Sequence, residues 1–427
     1  MHRLTIPVAP LCALWLLERA GHPAYIVGGC VRDALMGRTP HDWDVTTAAK
    51  PDQMLEIFGA STFKTIPTGL AHGTVTLLAC GEPVECTTYR VDGAYTDARH
   101  PDSVRFTDRI TDDLGRRDFT VNAMACRLPD LAASDKMPTE PRTLTLDELD
   151  IVDPYGGRDD LENALLRCVG DPVTRFSEDA LRMLRAVRFA VQLDFEIDNA
   201  TEAALAIKAD AISRVSVERI ASELCRMLGG KKPSRGLEIM SRTGLLDRVL
   251  ALPESPYFTT NFALFAAVDA LPRESMLRLS LLLCGADEQS AKAACRALKL
   301  STKQTDAVAS YIAALALPAP QTDAELRRYM ADVGEHTDGA LRLSQVCGKI
   351  PDAQALIERC ERIRTRGDCL SIGALAVDGR DLMSELGLRG SDVGKTLAAL
   401  LDAVLDDPKK NEREGLLALA KQIKKET

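Results

Sequence analysis

Short apolar runs bounded by glycine, proline and polar residues punctuate the first third of the chain, at Ala24–Val27, Thr74–Ala79 and positions 84–89, and this pattern predicts strands. The last two flank Gly81 and together predict a hairpin. Beyond about position 160, apolar residues recur three and four apart over Leu181–Leu193, Val217–Leu228 and positions 276–283, the spacing that lines one face of a helix. The chain is therefore expected to be α+β, a small N-terminal head with a mixed sheet followed by a long helical remainder. Positions 4–17 are apolar but are broken by Pro7 and Pro10 and run into Glu18 and Arg19. That predicts a helix, not a signal peptide. Nowhere do 18 apolar residues follow one another, so no bilayer-spanning segment is expected.

Positions 129–150 carry three prolines and several acids with little periodicity. They are expected to form a surface insertion or linker at the end of a head spanning 1–150. Gly229 and Gly230, followed by Lys231, Lys232 and Pro233, close a helical segment 151–230. Pro318 and Pro320 then separate 231–318 from 319–427. A chain of 427 residues has room for such a division. Its 12 cysteines show no CxxC pair and no zinc-ligand spacing, which points to buried thiols in a reducing cytoplasm. With 53 basic and 62 acidic residues the net charge is −9. That excludes indiscriminate coating of nucleic acid and confines any RNA contact to a local basic groove.

Candidate chemistry begins at Gly28 and Gly29, where the predicted strand turns into a helix start. Such a turn lets backbone N–H groups approach a phosphate, with Arg32 adding a fork of donors, although glycine pairs also serve tight turns elsewhere. Asp42 and Asp44 follow, separated by Trp43 and leading into a β-branched run. Residues two apart on a strand share a side, so their carboxylates converge, and two such groups repel unless a cation lies between them. Hard oxygen ligands with room left for phosphates suit Mg²⁺; capping aspartates would look the same. Glu85, inside the second hairpin strand, is a candidate third acid.

The succession of Gly28-Gly29-Cys30-Val31-Arg32-Asp33, Asp42-Trp43-Asp44, Arg116-Arg117-Asp118-Phe119-Thr120-Val121-Asn122-Ala123 and Glu178-Asp179-Ala180-Leu181-Arg182 resembles the class II tRNA nucleotidyltransferases, the CCA-adding enzymes and their bacterial poly(A) polymerase relatives. The resemblance implies a head of the DNA polymerase beta type with all-helical neck, body and tail. It also implies Asp42 and Asp44 as Mg²⁺ ligands, with Glu85 a supporting catalytic carboxylate. Gly28, Gly29, Arg32 and Arg117 would be nucleotide contacts.

The segment 175–189 is expected to begin after Pro172 with Ser177 as N-cap and then to run as one helix. Asp179, Arg182, Arg185 and Arg188 would lie three apart along one stripe, which an ordinary salt-bridged helix would also show. A carboxylate beside a guanidinium matches the amine and ring nitrogen shared by cytosine and adenine, whereas uracil and guanine present a carbonyl where that amine would be. In the resembling family the pair matching Asp179 and Arg182 acts as a protein template for CTP and ATP, with Arg185 and Arg188 as further nucleotide contacts. Positions 92–106 read as a mobile loop and resemble the loop that full CCA-adding enzymes use to switch from C to A. Lys231, Lys232, Arg235, Lys409, Lys410, Arg413, Lys421, Lys424 and Lys425 are candidate tRNA contacts.

The expected function is template-independent addition of CCA to tRNA 3′ ends from CTP and ATP, in the cytoplasm and without a membrane partner. A bacterial-type poly(A) polymerase and a noncatalytic RNA-binding protein with a vestigial site are the alternatives.

Overall fold

The computed structural model describes residues 3–93, 104–128, 130–145, 148–251 and 262–426. The chain forms two compact units, Met1–Met227 with Arg235–Val249, and Leu228–Ser234 with Leu250–Thr427. Among the described residues no helix is long and apolar enough to cross a membrane, and none of the 12 cysteines forms a disulfide.

The first unit opens with β1 (Arg3–Ile6) and α1 (Val8–Arg19), followed by β2 (Ala24–Val27), α2 (Gly29–Leu35), β3 (Asp44–Thr47) and α3 (Pro51–Gly59). Then come β4 (Lys64–Gly69), β5 (Thr74–Ala79), β6 (Glu82–Thr88), β7 (Arg90–Asp92), β8 (Val104–Phe106), α4 (Ile110–Gly115), β9 (Ala125–Arg127), β10 (Arg142–Thr145) and β11 (Asp150–Val152). Seven of these strands form one mixed sheet in the order β11-β9-β2-β3-β6-β5-β4. All neighbours are antiparallel except β3 and β6, which run parallel. The predicted hairpin is β5–β6, paired from Thr74 with Thr87 to Ala79 with Glu82. α1 packs across the sheet and buries Leu11, Leu14 and Leu17 in a core shared with Ile26, Val45, Val75, Leu77 and Val84. β7 and β8 pair with each other. Positions 94–103, within the segment expected to be a mobile loop, lie outside the described residues.

Two expectations change here. The start of the 4–17 stretch is strand, because Arg3–Ile6 pairs with β10. The stretch 129–150 is therefore not merely an irregular insertion. β10 lies within it, Leu131 and Leu144 are buried in the head core, and Asp150 opens the edge strand of the main sheet. These pairings join segments far apart in sequence, so no local period announced them.

The chain continues with α5 (Gly157–Glu162), α6 (Pro172–Glu178), α7 (Leu181–Leu193), α8 (Asn199–Lys208), α9 (Val217–Leu228), α10 (Pro233–Arg242) and α11 (Leu245–Ala251). The single helix expected over 175–189 is two helices, broken at Asp179, whose backbone is extended (φ −139°, ψ 104°). Ser177 lies inside α6, and the N-cap is Asp171, which accepts from Thr174 N–H at 2.8 Å. Asp171 before Pro172 is the stronger start signal, since proline tolerates only the first turn.

The second unit is helical. Side-chain caps start several of its helices, including the reciprocal pairs Ser301 with Gln304 and Thr322 with Glu325, which satisfy otherwise unpaired N–H groups. Asp378 likewise caps Gly379–Leu386 through Arg380 and Asp381 N–H.

Candidate active site

Alternation along β3 and its approach sets the acidic face. Val45 is buried and Trp43 packs on the head core, while Asp42 and Asp44 are exposed on the other side. Asp42 precedes the strand, so the ladder fixes Asp44 alone. Parallel pairing places Asp44 opposite Glu85 of β6, and Glu85 is exposed between buried Val84 and Cys86. The three acids line a cleft of about 650 Å³, with Pro7, Pro10, Trp43 and Thr76 among its walls.

Asp44 sits where surrounding protein displaces water even though its outer surface is open. Burial pushes its carboxyl above the ordinary carboxylate range; Arg117 opposes the rise, and the charges of Glu85 and Asp42 add to it. Crowded carboxylates of this kind are relieved by a divalent cation. Among the described residues no three His, Cys, Asp or Glu side chains converge closely enough to hold a metal by themselves. The two aspartates and Glu85 supply hard oxygen donors of the kind a divalent cation takes.

Beside the acids lies the glycine turn. Gly28 has φ +83° and ψ −128°, a region open essentially only to glycine, and a Cβ there would stand 2.8 Å from Arg117 Nη1. Its N–H donates to Met124 O at 3.0 Å. Gly28 thus shapes the turn, and the donors left for a ligand are the first N–H groups of α2, beginning at Gly29. Arg32, 6% exposed, donates from Nη1 to Asn122 Oδ1 at 2.7 Å and from Nε to Asp33 Oδ1 at 2.9 Å.

Among the described residues Arg117 makes only long hydrogen bonds, 3.5 Å from Nη1 to Asn122 O and 3.5 Å from Nη2 to Asp113 Oδ2. Its Nε is buried and finds no hydrogen-bond partner among the described residues. A guanidinium with so much donor capacity left beside a glycine turn is suited to phosphate oxygens. Asp113, fully buried, holds Arg116 through Nε at 2.9 Å.

The segment Arg116–Arg117–Asp118 also carries the arginine helix. Arg182 Nη2 donates to Arg116 O at 3.1 Å, and its Nη1 donates to Arg175 O at 3.2 Å and to Glu178. Arg185 donates from Nε and Nη2 to Asp118 Oδ2. Burial pushes the Asp118 carboxyl up, but Arg185, with help from Asn122 and Arg182, outweighs that and holds it at about 2. Arg188, also buried, pairs with Glu223 and donates to Gln192 Oε1 at 2.7 Å. Asp179, at the helix break, accepts from Leu181 N–H at 3.0 Å and from Arg219 Nη2 at 2.8 Å. Every predicted site residue thus belongs to the same compact unit.

Sequence reasoning missed Asn122, Asp113, Arg219 and Glu223. Only Asn122 lay in a quoted motif; Arg219 and Glu223 read as ordinary charges on α9. Of the candidate tRNA contacts, Arg235 is held by Glu196 and Asp194 and Arg413 by Asp381. Lys231, Lys232, Lys409, Lys410, Lys421, Lys424 and Lys425 are exposed.

Comparison with known proteins matches three family models along the chain. The Poly A polymerase head domain family matches residues 24–167, the RNA and SrmB-binding site of polymerase A matches 194–258, and tRNA nucleotidyltransferase domain 2 matches 273–420. The CCA-adding enzyme of Geobacillus thermodenitrificans is 34% identical over 407 residues, covering 94% of this chain and 93% of its own. That of Pediococcus pentosaceus is 33% identical over 419 residues, covering 96% of each. The crystal structure of the Bacillus stearothermophilus CCA-adding enzyme in complex with CTP superposes with a TM-score of 0.78 at 30% identity, covering 98% of both chains.

Proposed function

From the premise that this chain belongs to the family of CCA-adding enzymes, the class II tRNA nucleotidyltransferases, we propose that Asp42, Asp44, Glu85 and the arginines around them carry out CCA addition. The enzyme extends tRNA 3′ ends from CTP and ATP. The observation that carries this function is the near full-length identity to CCA-adding enzymes; the same kinship makes the poly(A) polymerase reading the lesser one. The acidic face around Asp44 argues against a vestigial site.

In each addition the RNA 3′-hydroxyl attacks the α-phosphorus of the nucleoside triphosphate, a new P–O bond forms, and the bond to pyrophosphate breaks. Asp42 and Asp44 would hold the family's divalent cation, which we assign as Mg²⁺, with Glu85 supporting Asp44. When bound, that ion lowers the pKa of the attacking hydroxyl and neutralises triphosphate charge. Gly29 N–H, Arg32 and Arg117 would grip phosphate oxygens, a positioning task suited to planar donor forks. Gly28 supplies the turn that brings them together.

Asp179 would accept from the exocyclic amine of cytosine or adenine, and Arg182 would donate to the adjacent ring nitrogen. Arg182 donates from Nη1 to Arg175 O and Glu178 and from Nη2 to Arg116 O, contacts that would hold its guanidinium in place for reading a base. Arg185 and Arg188 would add nucleotide contacts. We assign 1–150 as the catalytic head, 151–230 as the nucleotide-reading neck, and 231–318 and 319–427 as body and tRNA-binding tail, working in the cytoplasm where tRNA is used.

The test is to incubate the purified chain with tRNA lacking its terminal CCA, CTP and ATP, and to sequence the product. Three added nucleotides in the order CCA support the reading. A long A tract would replace it with poly(A) synthesis, and no extension would reject catalysis.

A further inference from the structure

Three guanidinium groups converge on one aromatic ring. The ring is Phe189, on α7 and only 6% exposed. Arg188 lies 3.9 Å from its centroid, Arg185 5.3 Å and Arg32 5.4 Å. All lie within the roughly 6 Å over which the electron-rich face of an aromatic ring attracts a cation. Phe119, from the Arg116–Asp118 side of the site, meets the ring edge-on at 5.8 Å and 78°, an arrangement that fixes its tilt.

The sources of these arginines matter. Arg185 and Arg188 belong to the same helix as the ring, but Arg32 comes from α2, next to the glycine turn. A polar chain joins the same two sides: Arg32 donates to Asn122, Asn122 Nδ2 donates to Asp118 Oδ1 at 3.2 Å, and Asp118 accepts from Arg185. Phe189 closes this chain into a loop by touching both of its arginine ends. Three like charges held this close repel one another. Asp33, Asp118 and Glu223 compensate them pairwise, whereas the ring is the shared surface that all three face. A flexible aliphatic side chain of similar volume would fill the space but offer no electron-rich face.

We infer that Phe189 is a positioning residue that sets the spacing between Arg32 and Arg185, and so couples the grip on a nucleotide's triphosphate to selection of its base. This rests on the assignment of Arg32 and Arg185 to nucleotide contact made above. With the ring in place, a nucleotide held by its phosphates presents its base at one fixed depth against Asp179 and Arg182. Without it, the two ends of the site relax independently, so a wrong base is tolerated more readily.

The experiment is steady-state addition to tRNA lacking its CCA end, with CTP or UTP, by full-length Phe189→Leu, Phe189→Met, Phe189→Tyr and Arg185→Gln proteins. Thermal melting is followed in parallel. The expected result is that Phe189→Leu and Phe189→Met raise KM for CTP and lower the CTP-over-UTP ratio of kcat/KM by about fivefold or more, while Phe189→Tyr, which keeps the ring face, restores both. A filler of space would move melting temperature without that pattern. The inference is overturned if either aliphatic variant keeps the ratio within twofold of the parent, or if Phe189→Tyr loses selection as they do. Should Phe189→Leu not fold, the comparison of Phe189→Met with Phe189→Tyr decides in the same way. An unchanged ratio in Arg185→Gln would instead contradict the assignment of Arg185 itself. A changed ratio there with an unchanged one in the aliphatic variants overturns the role of Phe189 alone.

Discussion

Arg185 closes on Asp118 with two hydrogen bonds to a single carboxylate oxygen, 2.8 Å from Nε and 2.6 Å from Nη2. The carboxylate is buried at 8% exposure and also accepts from Asn122 at 3.2 Å, so it ties the arginine helix to the segment beside the acids. Its pKa is held at about 2 against an ordinary 3.8. A depressed carboxyl contributes stability above its unfolded pKa and loses it as pH falls through the folded one. Urea unfolding from pH 5 down to pH 2 is therefore predicted to show a loss in the parent protein that Asp118→Asn lacks. At neutral pH that variant should be less stable by about 1–3 kcal/mol, because Arg185 loses its hydrogen-bonded partner while its side chain stays 32% exposed and 3.9 Å from Glu223. Equal acid sensitivity of the two proteins would contradict the pairing.

Gly28→Ala tests the turn. The backbone at φ +83° and ψ −128° should make alanine cost about 1–3 kcal/mol of folding stability. The new methyl group would also press on Arg117, so KM for CTP should rise. Denaturant midpoints and initial rates measure the two effects separately. An alanine variant with unchanged KM would show that the turn does not bear on nucleotide binding.

Asp179→Ala should relax selection against UTP by about 1–3 kcal/mol, the scale of one base-edge pairing, with little change in the rate of C addition at saturating CTP. Arg219→Gln removes the guanidinium that holds Asp179 at 2.8 Å, and should reproduce part of that loss through misplacement of the carboxylate. Competition between CTP and UTP on one tRNA measures both. Unchanged preference in Asp179→Ala would count against the template role.

What the sequence made legible were features with a local period or a local turn. The β5–β6 hairpin, α7 and the outward face of Asp44 on β3 all follow from spacing within a few residues, whereas Asp42 stands ahead of the strand. Elsewhere a stronger neighbouring signal sets the element. Asp171 before Pro172 starts α6, and the chain then breaks at Asp179, so the residue expected on a helical stripe stands at a joint. The remaining gaps are long-range. Arg219 and Glu223 resemble the charges of any amphipathic helix until the fold brings them to Asp179 and Arg188. Strand β10 acquires its partner only when β1 arrives from the opposite end of the head. Asn122 stands in one of the motifs, but its side-chain hydrogen bonds with Arg32 and Asp118 are made only in three dimensions.

Transfer is predicted to depend on a cation held by Asp44, which faces Glu85 across the β3–β6 pair. Single-turnover addition of C to tRNA lacking its CCA end, by Asp44→Ala and the parent protein at saturating CTP and Mg²⁺, tests it most directly. The predicted result is a barrier higher by several kcal/mol, a rate loss on the order of a thousandfold or more, with the folded state intact by circular dichroism. Turnover within a few fold of the parent would contradict it.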